Sequence, residues 1–275
     1  MTETAIAARG RGSSVLRSLL FGRAQRRALI AYMAALAIWQ IGASSGHWLG
    51  HRLPIIGNVP TPAAVLQVWA AVIVDPGYWQ SWYLSFLRVL TGFSAATILG
   101  VPFGLLLAIS RVFRGIAFPV FELFRPIPPL AWVPAAIIFW PTQELSIDFV
   151  IFLGAFFTIV ISVVDGAKTI DARFIQAARS MGGSQWNIFR RVLLPGVLPS
   201  IRVGMEVGIG ITWEVVVAAE MISGGGLGFF IWNSYVGGSY PQIVIGMISI
   251  GIAGYASSAA VRWLEAWLTP WLRVR

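Results

Sequence analysis

Six long apolar runs, at 28–46, 85–110, 116–141, 148–168, 197–222 and 241–265, dominate this chain. Most of the basic residues sit in the short segments between them. A helix needs roughly 20 apolar residues to cross the hydrocarbon core of a bilayer. The runs are continuous rather than ten-residue alternations, which disfavours a strand-built barrel. Only 11% of residues are charged, against about 25% in soluble domains. The expectation is an all-α, polytopic membrane protein with six transmembrane helices.

The net charge of +9 raises nucleic acid as a partner, but the basic residues are spread in short stretches between apolar runs. A nucleic-acid surface collects them on one solvated face. The distribution is that of a topology signal, so no nucleic acid is expected. Placing the N-terminus inside puts most of the 20 basic residues on the inner side. They include Arg9 to Arg27, Arg111, Arg114, Lys168 to Arg202, and Arg262, Arg273 and Arg275. Arg52 alone stands clear of the membrane outside. Both termini are therefore expected in the cytoplasm. The first run exceeds the usual 7–15-residue core of a signal peptide and is read as an anchor. With no cysteine and two histidines, His47 and His51, neither a disulfide framework nor a metal site is expected.

The external segment 47–84 contains turn-forming prolines, an apolar stretch from Ala63 to Val74 suited to a short surface helix, and the aromatics Trp69, Trp79, Trp82 and Tyr83. The last suit an interfacial belt. On the inner side, Asp171 to Pro199 is the most informative stretch. Ala172 to Met181 favours a helix, Gly182-Gly183 breaks it, and Ser184 is placed to cap a second helix through Leu194. Pro195 and Pro199 are expected to start the next span. Phe174, Ala177, Ala178 and Met181 share one helical face, as do Trp186, Phe189 and Val192. Two readings fit: a surface-lying amphipathic loop, or an apolar docking element for a cytoplasmic partner.

Charges within spans cost about 2.5–3.5 kcal/mol each on insertion scales, so each is a candidate. Glu122 and Arg125, three apart, can pair. Pro126, Pro128, Pro129 and Pro134 follow and interrupt the span. This pair is either a self-neutralising structural feature or the wall of a polar pathway. In the fifth run Glu206, Glu214 and Glu220 fall on a stripe about 120° wide at 100° per residue. Glu206 can pair with Arg202. Gly204, Gly208 and Gly210 admit a neighbouring helix. Arg88, near the outer end of the second run, either snorkels or attracts an anion. Gly224-Gly225-Gly226-Leu227-Gly228 reads as a flexible external connection.

The inner segment resembles the signature loop of ABC-importer permeases, Glu-Ala-Ala, three residues, Gly, nine residues, then Ile-x-Leu-Pro. Here it stands as Gln176-Ala177-Ala178, Gly182, nine residues, and Val192-Leu193-Leu194-Pro195. Gln176 replaces the charged glutamate and Val192 the isoleucine. The resemblance runs from about Ser85 to Trp271 and is nearest the nitrate/sulfonate/taurine/bicarbonate branch. It is carried by Ser85-Phe-Leu-Arg88-Val-Leu-Thr-Gly92, Glu122-Leu-Phe-Arg125-Pro-Ile-Pro128-Pro129-Leu-Ala-Trp132-Val-Pro134, Trp213-Glu214-Val-Val-Val-Ala-Ala219-Glu220-Met221 and Gly225-Gly226-Leu227-Gly228. Phe229-Phe230-Ile231-Trp232 leans toward nitrate and bicarbonate relatives, and Leu268-Thr269-Pro270-Trp271 toward taurine ones.

The resemblance implies the transmembrane domain of a type I ABC importer for a small anion. It implies a homodimeric pore, two cytoplasmic ATPase subunits carrying ATP and Mg, and an external substrate-binding protein. Gln176, Ala177, Ala178, Met181, Gly182, Leu194 and Pro195 would couple to the ATPase. Arg88, Glu122, Arg125, Pro128, Pro129, Trp213, Glu214 and Glu220 are candidate pathway residues. No cofactor is expected on this chain, since its one lysine, in Gly166-Ala167-Lys168-Thr169, lacks the glycine of a phosphate loop. The expected organisation is a basic arm (1–27), a first helix and external segment (28–84), a permease core (85–265) with its coupling loop (171–195), and a tail (266–275). A stand-alone secondary transporter or channel is the alternative. The lack of a convincing internal repeat weakens it.

Overall fold

The computed structural model describes residues 23–51, 53–221 and 223–268, and side chains from 25 to 264. Most of the basic arm, Arg52, Arg273, Arg275 and the stretch from Thr269 to Trp271 lie outside the described residues. The described residues form two compact units, one ending at Ala70 and one beginning at Ala71.

In the first unit, α1 (Arg23–Ala43) is followed by a single turn, α2 (Ser45–Trp48), and by the start of α3 (Pro62–Val72). The surface helix expected from Ala63 is thus present. The Trp39 indole N–H donates to the Pro60 carbonyl at 3.1 Å and ties the loop back to α1. Exposed apolar residues cover much of α1, among them Ile30, Met33 and Ile38.

The second unit is built on α4 (Pro76–Ile109), α7 (Gln143–Lys168), α10 (Leu194–Glu220) and α12 (Tyr240–Leu268). Asp75 caps α4 by accepting from the Gly77 N–H, with Pro76 fitting the first helical position. Thr142 caps α7 through the Leu145 N–H. α7 lies between α4 and α10 and carries the driest part of the core: Ile151, Ile159, Val160 and Val163 are fully buried. Its close fit against α4 follows from small residues one turn apart on α4, namely Gly92, Ala96, Gly100 and Gly104. A side chain at Gly92 would strike Ile151, and one at Gly104 would meet Val163 at 2.8 Å. Lipid supplies little drive for helix association, so such close backbone packing carries it. On α10, Gly204 meets Ser162 and Gly208 meets Ile159, as expected, whereas Gly210 has nothing within 4 Å.

Four described helices or continuous helical stretches are long and apolar enough to cross a membrane, and five if one bent pair counts as a span. The stretches are Pro76–Ile109, Gln143–Lys168, Gln185–Glu220 and Tyr240–Leu264. α1 is 21 residues long but carries Arg23, Gln25, Arg26 and Arg27, and falls outside that set. The expected run 116–141 is the bent pair. α5 (Arg111–Phe124) and the stretch Pro129–Phe139, which ends in α6 (Val133–Phe139), meet at 88°. The prolines after Arg125 remove backbone donors and impose the turn. α4 begins at Pro76, so Trp79, Trp82 and Tyr83 of the segment 47–84 stand in its first turns.

The fifth run differs in its start. α8 (Ala172–Ser180) and α9 (Gln185–Ile188) form the expected helix–glycine–helix elbow. Yet no break separates α9 from α10, which are joined by a π-helical turn at Phe189–Leu193. Pro195 follows directly on that π turn, where the Leu194 N–H bonds five residues back to the Phe189 carbonyl, and the locally widened ladder accommodates a residue with no N–H. The last short helix, α11 (Leu227–Val236), turns back from the end of α10 and packs on α12.

Candidate functional site

Two regions at opposite ends of the α4–α7–α10 core carry the features singled out in the sequence. At the end where α4 and α7 begin and α10 finishes, Ser85 and Arg88 lie three residues apart on one face of α4. Glu220 closes α10, and Glu144 sits in the first turn of α7.

Arg88 is 4% exposed and Glu220 fully buried. Arg88 Nη1 donates to Glu220 Oε1 at 2.9 Å and to the Gly225 carbonyl at 2.8 Å. Its Nε and Nη2 grip Glu144 in a bidentate fork, at 2.8 and 2.6 Å. The Ser85 hydroxyl donates to the Glu220 carboxylate and accepts the Leu227 N–H at 2.8 Å. The Gly228 N–H adds a 2.9 Å bond to Glu220 Oε2. The first amides of α11 thus find their acceptors in Ser85 and Glu220. Helix N-termini leave such amides unpaired and favour negative charge.

This geometry corrects two expectations. Arg88 neither snorkels nor waits for an anion; two carboxylates take its fork. The glycine stretch is not a loose connection but the wall of the cluster. Gly226 has φ of +101°, and a side chain there would run into the Glu220 carboxylate; one at Gly228 would strike the Val217 carbonyl. Glu144 lies between two apolar runs, where hydropathy does not mark it as a membrane charge. Its signal was local: Thr142 caps a helix whose first turn contains it.

The three glutamates of α10 do not form one buried stripe. Glu220 is enclosed. Glu206 pairs with Arg262 of α12 at 2.7 Å, with both side chains about one-third exposed. Glu214 is exposed and, among the described residues, makes no hydrogen bond or ion pair. Trp213 points the other way, buried, its indole N–H donating to Ser257 at 3.1 Å. Glu122 and Arg125 do pair, at 3.3 Å and nearly half exposed, at the 88° bend beside Pro128 and Pro129. Among the described residues no group of three His, Cys, Asp or Glu could hold a metal ion.

At the opposite end, Asp171 caps α8 by accepting the Arg173 N–H at 2.9 Å. Ser184 caps α9 through the Asn187 N–H. Gly182 has φ of +76°, and a Cβ there would meet nothing within 4 Å; the left-handed turn ends α8 and favours glycine. A Cβ on Gly183 would press within 2.7 Å of the Ala178 carbonyl. Gln176 and Ala177 are exposed, and Ala178, Leu194 and Pro195 half-buried. Met181, at the tip, is 82% exposed, and Phe174 and Trp186 are 65% and 64% exposed. An open groove of about 630 Å³ runs between α8 and the start of α10, lined by Phe174, Ala178, Met181, Arg191 and Val192 among others.

Long apolar helices, a proline-broken span and an exposed apolar elbow on the polar side define a helical membrane transport protein. The family model for binding-protein-dependent transport system inner membrane components matches residues 100–274, and the chain belongs to that family of ABC transporter permeases. It is 34% identical to the nitrate import permease protein NrtB of a Synechocystis species, over 89% of each chain. Against the taurine transport system permease protein TauC of Escherichia coli it is 33% identical, over 82% of this chain and 84% of that one. Its fold is similar to that of a chain in an inward-facing structure of the MetNI methionine ABC transporter. The TM-score is 0.52, with 24% identity over 70% of this chain and 96% of the other.

Proposed function

We propose that this chain is the membrane subunit of an ATP-driven importer for a small oxoanionic solute of the nitrate, bicarbonate or sulfonate kind. Two copies form the pore in the cytoplasmic membrane, with both termini inside. Each copy docks one cytoplasmic ATPase through 171–195, and an external binding protein delivers the solute. ATP and Mg reside on the ATPase, and this chain neither binds nor hydrolyses the nucleotide.

One observation carries the reading: the second arm of the exposed elbow is continuous with a membrane helix. α9 runs through a π turn into α10 without a break, so a partner that grips α8 at Met181 and moves the elbow through its glycine joint also moves α10. α10 packs along α7 and ends in the Arg88 cluster. Closure of the ATPase pair would thereby become a tilt of the spans, and the solute path would open alternately to each side. Among the coupling residues, Ala177, Ala178 and Met181 share the contact face with Phe174, Gln176 stands on the other side of α8, Gly182 is the joint, and Leu194 and Pro195 are the root.

The chain has no cysteine, so Met181→Cys supplies a single thiol. A short bifunctional crosslinker at that position should trap the ATPase in the assembled complex. Gly182→Pro forbids the positive φ and should abolish co-purification of the ATPase while the chain still inserts. Normal ATPase capture by Gly182→Pro, or solute flux through liposomes holding this chain alone, would favour the stand-alone transporter instead.

A further inference from the structure

Glu214 is the one α10 glutamate without a described partner, and its surroundings suggest what it is for. Gly196, Pro199, Val203, Val207 and Glu214 are all exposed. Their spacing of three, four or seven residues keeps them on one helical face along the whole length of α10. Gly210, on the same face, has nothing within 4 Å. The opposite side of α10 holds the buried Ile201, Thr212, Val216 and Ala219.

In the assembled dimer that face meets lipid, water or the second copy. Glu214 lies six residues, about 9 Å at 1.5 Å per residue, below Glu220. A carboxylate has too short a stem to snorkel as lysine or arginine does. An unpaired carboxylate against acyl chains is disfavoured, and such groups face protein or a watery cavity. The broken span packs on the same stretch of α10, on the flank of Ile211 and Val215, about 60–100° around the helix from Glu214. A Cβ on Gly154 of α7 would touch Val215 and Ile211 of α10 and also Pro129, so the proline turn flanks this stretch of α10. Irregular backbone at membrane depth is tolerated where it borders protein or a water-filled path. The charges at that turn cancel, because Glu122 and Arg125 pair with each other. Glu214 is left as an uncompensated negative charge.

We infer that Glu214 lines the solute path, one from each copy, and that it selects for a solute carrying an ammonium group beside its acidic group, a small zwitterion rather than a simple anion. This rests on the homodimeric importer proposed above. A path with low-dielectric walls and one sign of charge concentrates the opposite sign and repels its own. A bare oxoanion would meet repulsion from two carboxylates. A zwitterion would present its ammonium to them and its acidic group elsewhere.

The test reads the local field without reference to any binding protein. In the assembled complex, Gly210→Cys places a thiol one turn from Glu214, and Val207→Cys serves if that variant fails to assemble. Each is treated with a cationic and an anionic methanethiosulfonate of similar size, with Glu214 intact and with Glu214→Gln. The expected result is labelling by both reagents, with a cationic preference that falls about tenfold in Glu214→Gln. No labelling at either position would place the face against lipid or the second copy and overturn the inference. So would equal rates that ignore Glu214. A second arm measures uptake of taurine against isethionate, which replaces the ammonium by a hydroxyl. Preference for taurine should shrink in Glu214→Gln, and unchanged discrimination would overturn the substrate class. ATPase co-purification with these variants is scored separately, so a failed importer assignment is distinguishable from a failed role for Glu214.

Discussion

The two ends of the α4–α7–α10 core treat their functional groups in opposite ways. At the Arg88 end, Arg88 and Glu220 are enclosed and their main donors and acceptors are paired within the chain. At the Met181 end, caps and backbone are satisfied but large apolar side chains stand in the open. A buried network with its partners in place rigidifies what it joins. An exposed apolar surface of this kind marks a surface for another molecule. The first region reads as a clamp that holds four segments together, and the second as a handle that needs something to grip it. The contrast predicts large stability effects and little direct partner dependence at the clamp, and the reverse at the handle.

Arg88→Ala should give the largest effect. It leaves Glu220 buried with no cation, and breaking a buried pair in this way costs about 3–5 kcal/mol. Thermal unfolding of the purified chain in detergent, followed by tryptophan fluorescence, should show a markedly lower midpoint. Arg88→Lys should restore little, since one ammonium cannot reproduce a fork that spans Glu144, Glu220 and the Gly225 carbonyl. A midpoint within a degree of wild type for Arg88→Ala would remove the clamp from the comparison.

Gly228→Ala comes next. The added methyl has to displace the Val217 carbonyl or the Glu220 side chain, and overpacking of this kind costs about 1–3 kcal/mol. The loss should appear in the same unfolding measurement. It should also appear as faster amide exchange at Leu227 and Gly228, whose N–H groups bond to Ser85 and Glu220. Glu144→Gln should cost less, about 1 kcal/mol, because Glu144 is 61% exposed and water compensates much of a lost exposed ion pair. A Glu144→Gln effect as large as that of Arg88→Ala would mean the exposed arm of the clamp matters as much as the buried one.

The handle was more legible in the sequence than the clamp. Its cues are local: a glycine pair, the Ser184 cap, and apolar residues at helical spacing. The structure places α8, the turn and α9 where those cues put them. What the sequence hid was continuity, since Pro195 reads as a fresh start although the π turn before it carries the helix through. The clamp depends on residues 56 and 132 positions apart in sequence, as with Arg88 to Glu144 and Arg88 to Glu220, and single-chain periodicity carries no information about such pairings. The proline run announced a break in the third apolar run without giving its 88° angle. Small residues spaced four apart on α4, Gly92, Ala96, Gly100 and Gly104, are a readable sign of close helix contact that hydropathy alone passes over.

Met181→Asp should have the smallest effect on the fold and for that reason sharpens the comparison most. Met181 is 82% exposed and sits at the tip of the elbow, away from the core. Surface substitutions of this type change stability by no more than about 0.5 kcal/mol, so the unfolding midpoint should stay at the wild-type value. A partner that covers Met181 with apolar surface would have to bury an aspartate without a counter-charge, a situation proteins strongly avoid. Recovery of the ATPase with the purified complex should fall at least about tenfold, which corresponds to roughly 1.4 kcal/mol of lost association. A variant with both full stability and full ATPase recovery would show that the tip touches nothing, and the handle would then have to lie elsewhere along α8 or in the groove beside it. A variant that unfolds would show instead that the two ends share one cooperative unit, and the division between clamp and handle would fail.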